Sequence, residues 1–181
     1  MVRQPELETV PVLIVTGSVG VGKTTVAGAI SEWLEEARIP HAFVDMDALR
    51  CSFPRPADDR FHVRLGLTNL AAVWANCLAT GARCLVLADV VESPELSGYR
   101  AAIPGAEIVV VRLVADARTT AHRLHNRESG SGLGWHLARA VELAELMERN
   151  EVGDLVVDAG TSAPLELAKD ILARVGWMLA D

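Results

Sequence analysis

Lysine is nearly missing from this sequence: Lys23 and Lys169 are the only two, and the rest of the positive charge is arginine. Seventeen Lys plus Arg stand against 24 Asp plus Glu, a formal net charge of -7 over 181 residues, which argues against a general binder of nucleic acid or anionic membrane. Although 50% of the residues are hydrophobic, no apolar run approaches the roughly 20 residues that cross a bilayer. Cys51, Cys77 and Cys84 form no C-x-x-C and are odd in number, which suits reduced thiols that fill space. Met1 to Thr9 carries Glu6 and Glu8 and no apolar stretch, so neither a signal peptide nor a transit peptide is expected, and the cytoplasm is the expected location. What remains is a single domain over 1–181, with a well-filled core and no room for a second domain of ordinary size.

Against these absences stands Gly17-Ser18-Val19-Gly20-Val21-Gly22-Lys23-Thr24, a full match to the phosphate-binding loop G-x-x-x-x-G-K-[ST]. An apolar, β-branched run from Val10 to Thr16 precedes it, and Val26, Ala27, Ile30, Leu34 and Ala37 follow at helical spacing. Strand, tight loop and helix is the context that the motif requires. Backbone N–H groups of residues 17 to 25, Thr25 included, would turn around a phosphate chain at the positive end of the helix dipole. Lys23 would reach the outer phosphates, and Thr24 would offer its hydroxyl to Mg²⁺. A nucleoside triphosphate, ATP, with Mg²⁺ is the expected cofactor pair.

Further strands are expected at His41–Val44, Cys84–Ala88, Ile108–Leu113 and Leu155–Val157, alternating with helices at about 61–80, 115–127, 135–149 and from Pro164 onward. Ser93-Pro94 reads as a further helix start. The fold class is therefore α/β, a three-layer sandwich around a five-stranded parallel sheet; crossover rules give the topology but not the strand order. Glu128-Ser129-Gly130-Ser131-Gly132-Leu133-Gly134 separates two helices on the rim side, as expected of a closing helical lid within about 118–149.

Ligands bind outside the carboxyl ends of strands in such sheets, so Asp45, Asp47 and Asp89 fall on the rim with the loop. Asp47 would take the proton of an acceptor hydroxyl, and Asp89 or Asp45 would serve the metal beside Thr24. Helix capping is the plain alternative for Asp45 and Asp47. Arg123 and Arg127, four apart on one helix face, would close over the γ-phosphate, unless they belong to a solvated face. Asp45, Asp47, Arg50, Arg60 and Arg64 would line the acceptor pocket, where an anion such as a nucleotide suits the arginines and an apolar metabolite suits Cys51, Phe53 and Phe61. His122 and His125 lack a third metal ligand in pattern.

The loop together with Asp45-Met46-Asp47-Ala48-Leu49-Arg50 resembles the small-molecule kinases of the phosphate-loop NTPase superfamily (nucleotide kinase-like), in particular adenylylsulfate kinases and chloramphenicol phosphotransferase. The former carry Asp-Gly-Asp-Asn-x-Arg after the second strand, the latter Val-Asp-Ser-Leu, and both place a functional carboxylate at Asp47; Met46 and Ala48 depart from the first pattern. Gly132-Leu133 and Ala138-Arg139 faintly resemble the adenylylsulfate kinase lid, and Gly160-Thr161-Ser162 resembles the segment that contacts adenine. The resemblance implies lid arginines on the phosphates and a kinase that moves the γ-phosphate of ATP to a hydroxyl of a small-molecule acceptor, as a monomer or homodimer with no nucleic acid or membrane partner. The other reading kept open is a nucleotide-binding regulatory ATPase with no small-molecule kinase activity.

Overall fold

The computed structural model describes residues 9–127 and 132–177, with the side chain of residue 127 outside that description. Its strands are β1 (Val10–Gly17), β2 (His41–Asp45), β3 (Cys84–Ala88), β4 (Ala106–Val114) and β5 (Leu155–Asp158). They form one parallel sheet in the order β2-β3-β1-β4-β5. The helices are α1 (Lys23–Glu36), α2 (Met46–Leu49), α3 (Val63–Ala79), α4 (Ser97–Ala102), α5 (Ala117–Arg127), α6 (Leu133–Arg149) and α7 (Pro164–Arg174).

The sheet sits between two cores because successive strand residues point to opposite faces. Val12 and Ile14 of β1, with Leu85 and Leu87 of β3, meet Leu70 and Trp74 of α3 and Leu143 and Met147 of α6. Leu13 and Val15, with Val86 and Val111, meet Val26, Ala27, Ile30 and Leu34 of α1 and Leu167, Ala168, Ile171 and Leu172 of α7. Burial on both faces explains why β1 and β3 read as unbroken apolar runs rather than alternating ones. Ile14 is flanked by Leu87 on one side and Val110 on the other.

The connections leaving β1 and β4 run to opposite edges of the sheet, so a crevice opens at the carboxyl ends of these central strands. Thr16 Oγ1 accepts from the buried Val91 N–H at 2.9 Å, which ties the chain leaving β3 to the end of β1. On the acceptor side, Asp59 accepts from the Val63 and Arg64 N–H groups at 2.7 and 3.1 Å and so caps α3. The buried His62 ring lies 3.0 and 3.2 Å from the carbonyl oxygens of Arg50 and Pro54, pinning the loop between α2 and α3.

Two boundaries differ from those expected. No helix starts at Ser93; Ser93 Oγ accepts from the Glu95 N–H, Glu95 Oε1 accepts from the Ser97 N–H, and α4 begins at Ser97. The long helix begins at Val63 because His62 has φ 51°, outside the helical region. Among the described residues, no helix is long and apolar enough to cross a membrane.

Candidate active site

Residues 17 to 22 turn tightly between β1 and α1. Gly17 has φ 143°, and a Cβ there would stand 2.5 Å from the Leu113 carbonyl oxygen, so no side chain fits. Gly22, the residue before α1, has φ 110° and nothing nearer to its missing Cβ than Arg123 Nη1 at 3.8 Å. The open space over Gly22, and a first helical turn with no acidic residue, leave a cradle for a phosphate group. Lys23 folds back along the loop, its Nζ donating to the carbonyl oxygens of Gly17 at 3.1 Å and Ser18 at 3.0 Å.

Asp45 ends β2 beside this loop. Its Oδ1 accepts from the Asp47 N–H at 3.0 Å and caps α2, and its Oδ2 accepts from Thr24 Oγ1 at 2.9 Å. Capping and contact with the phosphate loop are thus not alternatives for Asp45. The cap turns the Asp47 side chain outward, exposed and on the cleft wall. Two hard oxygen donors, Thr24 Oγ1 and Asp45 Oδ2, therefore lie side by side, a donor set that fits Mg²⁺. Among the described residues no cluster of three or more His, Cys, Asp or Glu could hold a metal alone.

Asp89, expected to serve the metal beside Thr24, is taken up by other partners. Its oxygens accept from Arg50 Nη1 at 2.7 Å, Arg50 Nη2 at 2.6 Å, Tyr99 Oη at 2.5 Å and the Val90 N–H at 2.7 Å. Burial pushes the Asp89 carboxyl above its usual value, with Arg50 and Tyr99 pulling the other way. Burial works against the charge of Arg50, but Asp89 outweighs it and holds the guanidinium above its ordinary value. The Tyr99 phenol is pushed far up, first by burial and then by the Asp89 carboxylate. Arg50 reaches this pair only because Gly66 of α3 has no side chain: a Cβ there would stand 2.9 Å from Arg50 Cγ and Nε.

Arg123 of α5 lies on the cleft wall beside the phosphate loop, its guanidinium bonded to backbone carbonyls. Its Nη1 donates to the Val21 carbonyl oxygen at 2.7 Å, and its Nη2 to those of Ala159 at 2.7 Å and Gly160 at 3.1 Å. It fastens the phosphate loop to the turn after β5, because a guanidinium carries donors that three converging carbonyls can use at once. The cleft itself measures about 1040 Å³. The loop and the 159–167 segment line one end; Asp47, Arg50, Phe61, Glu92, Tyr99 and Arg139 line the other. Arg139 of α6 pairs with Glu92 and, at 2.9 Å, with Glu142.

The fold recurs in solved structures. A gluconokinase from Sinorhizobium meliloti is 25% identical, with a TM-score of 0.59 over 91% of this chain and 93% of that one. The Deinococcus radiodurans tunicamycin resistance protein is 20% identical with a TM-score of 0.66, covering 95% and 99%. The Mycobacterium tuberculosis APS kinase, in complex with AMPPNP and APS, is 22% identical with a TM-score of 0.59, covering 93% and 98%. The chain has the P-loop nucleotide kinase-like fold. No family model and no curated protein matches the sequence.

Within this P-loop fold the remaining expected residues are spread widely. Arg64 is exposed and paired with Asp58 at 3.0 Å, away from the cleft wall. Arg60 also lies outside the lining, its guanidinium over the Phe61 and Trp135 rings at 5.6 and 5.9 Å. Gly160 takes part through its carbonyl to Arg123, and Thr161 is exposed beside Ser162, which lines the cleft. The Arg127 side chain and the glycine hinge at 128–131 lie outside the described residues. Glu92 and Tyr99 also line the cleft though no motif marks them in the sequence, and Arg139 is marked only by a faint likeness. The available signal was spacing: Trp135, Arg139 and Leu143 recur every four residues on one face of α6, and all three line the cleft.

Proposed function

We propose that this chain is an ATP- and Mg²⁺-dependent kinase that transfers the γ-phosphate to a hydroxyl of a small molecule, with Asp47 as general base. The observation that carries the reading is the Thr24–Asp45 contact at 2.9 Å, which sets the acidic end of β2 against the phosphate loop. Phosphoryl transfer asks chiefly for positioning and for cancellation of charge on the moving group. The amides of residues 17 to 25 and Lys23 hold the phosphates; Thr24 and Asp45 would hold Mg²⁺, which would supply charge neutralisation at the triphosphate. Asp47 orients the acceptor hydroxyl and accepts its proton. The acceptor oxygen forms a bond to the γ-phosphorus as the bond to the ADP oxygen breaks. Helices α5 and α6 act as the lid, and the enzyme works as a monomer or homodimer.

The test is ADP release over a panel of nucleosides, sugars and sugar acids. Acceptor-dependent release that falls by roughly a hundredfold in Lys23→Ala and by about 10²–10⁴ in Asp47→Ala supports the reading. Asp45→Asn should raise the Mg²⁺ concentration needed for half-maximal rate, whereas Asp47→Asn should not. Nucleotide binding with slow hydrolysis and no response to any acceptor would instead make the chain a regulatory ATPase.

A further inference from the structure

We infer that the acceptor half of the cleft is built for an uncharged alcohol bearing a flat apolar ring, and selects against acceptors that carry a carboxylate or phosphate. The inference rests on the kinase reading above and deepens it.

Charge is the first argument. Three arginines line the acceptor half; the two largely buried ones, Arg50 and Arg139, are already engaged by carboxylates, and Arg55 is exposed. Arg50 gives both terminal nitrogens to Asp89, whose side chain is fully buried. Arg139, with its side chain 14% exposed, lies between Glu92 and Glu142. An anionic acceptor that took the terminal nitrogens of Arg50 would leave Asp89 buried without a countercharge, so the donors left to it are Arg50 Nε, which has no partner, and the exposed Arg55. The remaining charged groups lining that half, Asp47, Glu95 and Arg55, add no positive excess. Such a wall repels an anion more than it attracts one, and the nearby phosphates of ATP would add to the repulsion.

Shape is the second argument. Phe61, just before α3, and Trp135, in the first turn of α6, are each 44% exposed, and both line the cleft. Arg60 lies over both rings, and Arg139 lies over Phe61 at 5.6 Å. The two rings are thereby held from different elements with apolar surface still open to water. Val63, Val90 and Leu143 continue that wall, and a planar guest would cover it. Ser93 and Asp47 supply hydrogen-bonding groups that need no charge on the guest.

Calorimetric titration of the full chain, saturated with AMPPNP and Mg²⁺, tests the inference on matched pairs. These are uridine and uridine 5′-monophosphate, pyridoxine and pyridoxine 5′-phosphate, and benzyl alcohol and 4-(hydroxymethyl)benzoate. The uncharged member of each pair should bind at least about tenfold more tightly. Trp135→Ala should weaken that binding roughly fivefold without changing AMPPNP affinity. Glu92→Gln, which releases Arg139 from one carboxylate, should narrow the preference by about tenfold. Equal or tighter binding of the anionic members, or no saturable binding by any uncharged one, overturns the inference. ADP release with an anionic member alone would overturn it and leave the kinase reading intact; saturable binding of uncharged rings without ADP release from any acceptor would do the reverse.

Discussion

Arg50, at the end of α2, meets Asp89, just past β3, through two hydrogen bonds of 2.7 and 2.6 Å, in a place where Asp89 has no contact with water. Arg50→Ala strands a buried carboxylate, and urea unfolding at neutral pH should show a loss of about 3–5 kcal/mol. Burial already raises the Asp89 carboxyl, and without Arg50 it rises further. A group with a raised folded value stabilises most below its unfolded value and loses that contribution as pH rises through the folded one. The deficit of Arg50→Ala should therefore shrink as pH is lowered toward 4, roughly the value of an unperturbed Asp.

Arg123 holds the phosphate loop to the turn after β5 through three carbonyl oxygens. Arg123→Ala should free the loop backbone and weaken nucleotide binding by roughly tenfold, read by calorimetry. Arg123→Lys should not restore it, since a single ammonium cannot reproduce the planar fork.

Asp116 caps α5 by accepting from the Thr119 N–H at 2.8 Å and from Thr119 Oγ1 at 2.7 Å. The Thr119 N–H and then its hydroxyl hold this carboxyl below its usual value. A depressed value contributes stability above the unfolded pKa, and that contribution is lost as pH falls through the folded one. Asp116→Ala should lower the melting temperature at pH 7 by roughly 2–4 °C. The gap should narrow as pH falls below the value of an unperturbed Asp and on through the lower folded one.

The thiols divide by environment. Cys84 is buried in β3, and burial pushes its thiol up to about 11. Cys51 is exposed and lines the acceptor half of the cleft. Iodoacetamide at pH 8 should label Cys51 and leave Cys84 unlabelled in the folded protein, as read by peptide mass spectrometry. Labelling at Cys51 should lower acceptor-dependent ADP release, and Cys51→Ser should be resistant.

The eight residues from Gly17 to Thr24 announced a phosphate cradle because that device is built from consecutive backbone amides, so its whole geometry is local. The five strands were readable for a similar reason, since burial on both faces writes itself as short apolar runs. Asp45 and Asp89 could both be placed on the rim, but their partners could not be read there: only the fold brings Thr24 within 2.9 Å of Asp45 and Arg50 onto Asp89. The tertiary structure alone decided the strand order and the partners of the arginines. Arg50 finds Asp89 39 positions away, and Arg123 finds Val21 102 positions away. An arginine in a sequence carries the same charge whether it will grip a ligand or a buried carboxylate; only the packing that sets its neighbours, here a glycine at 66 that lets Arg50 through, determines which of the two it does.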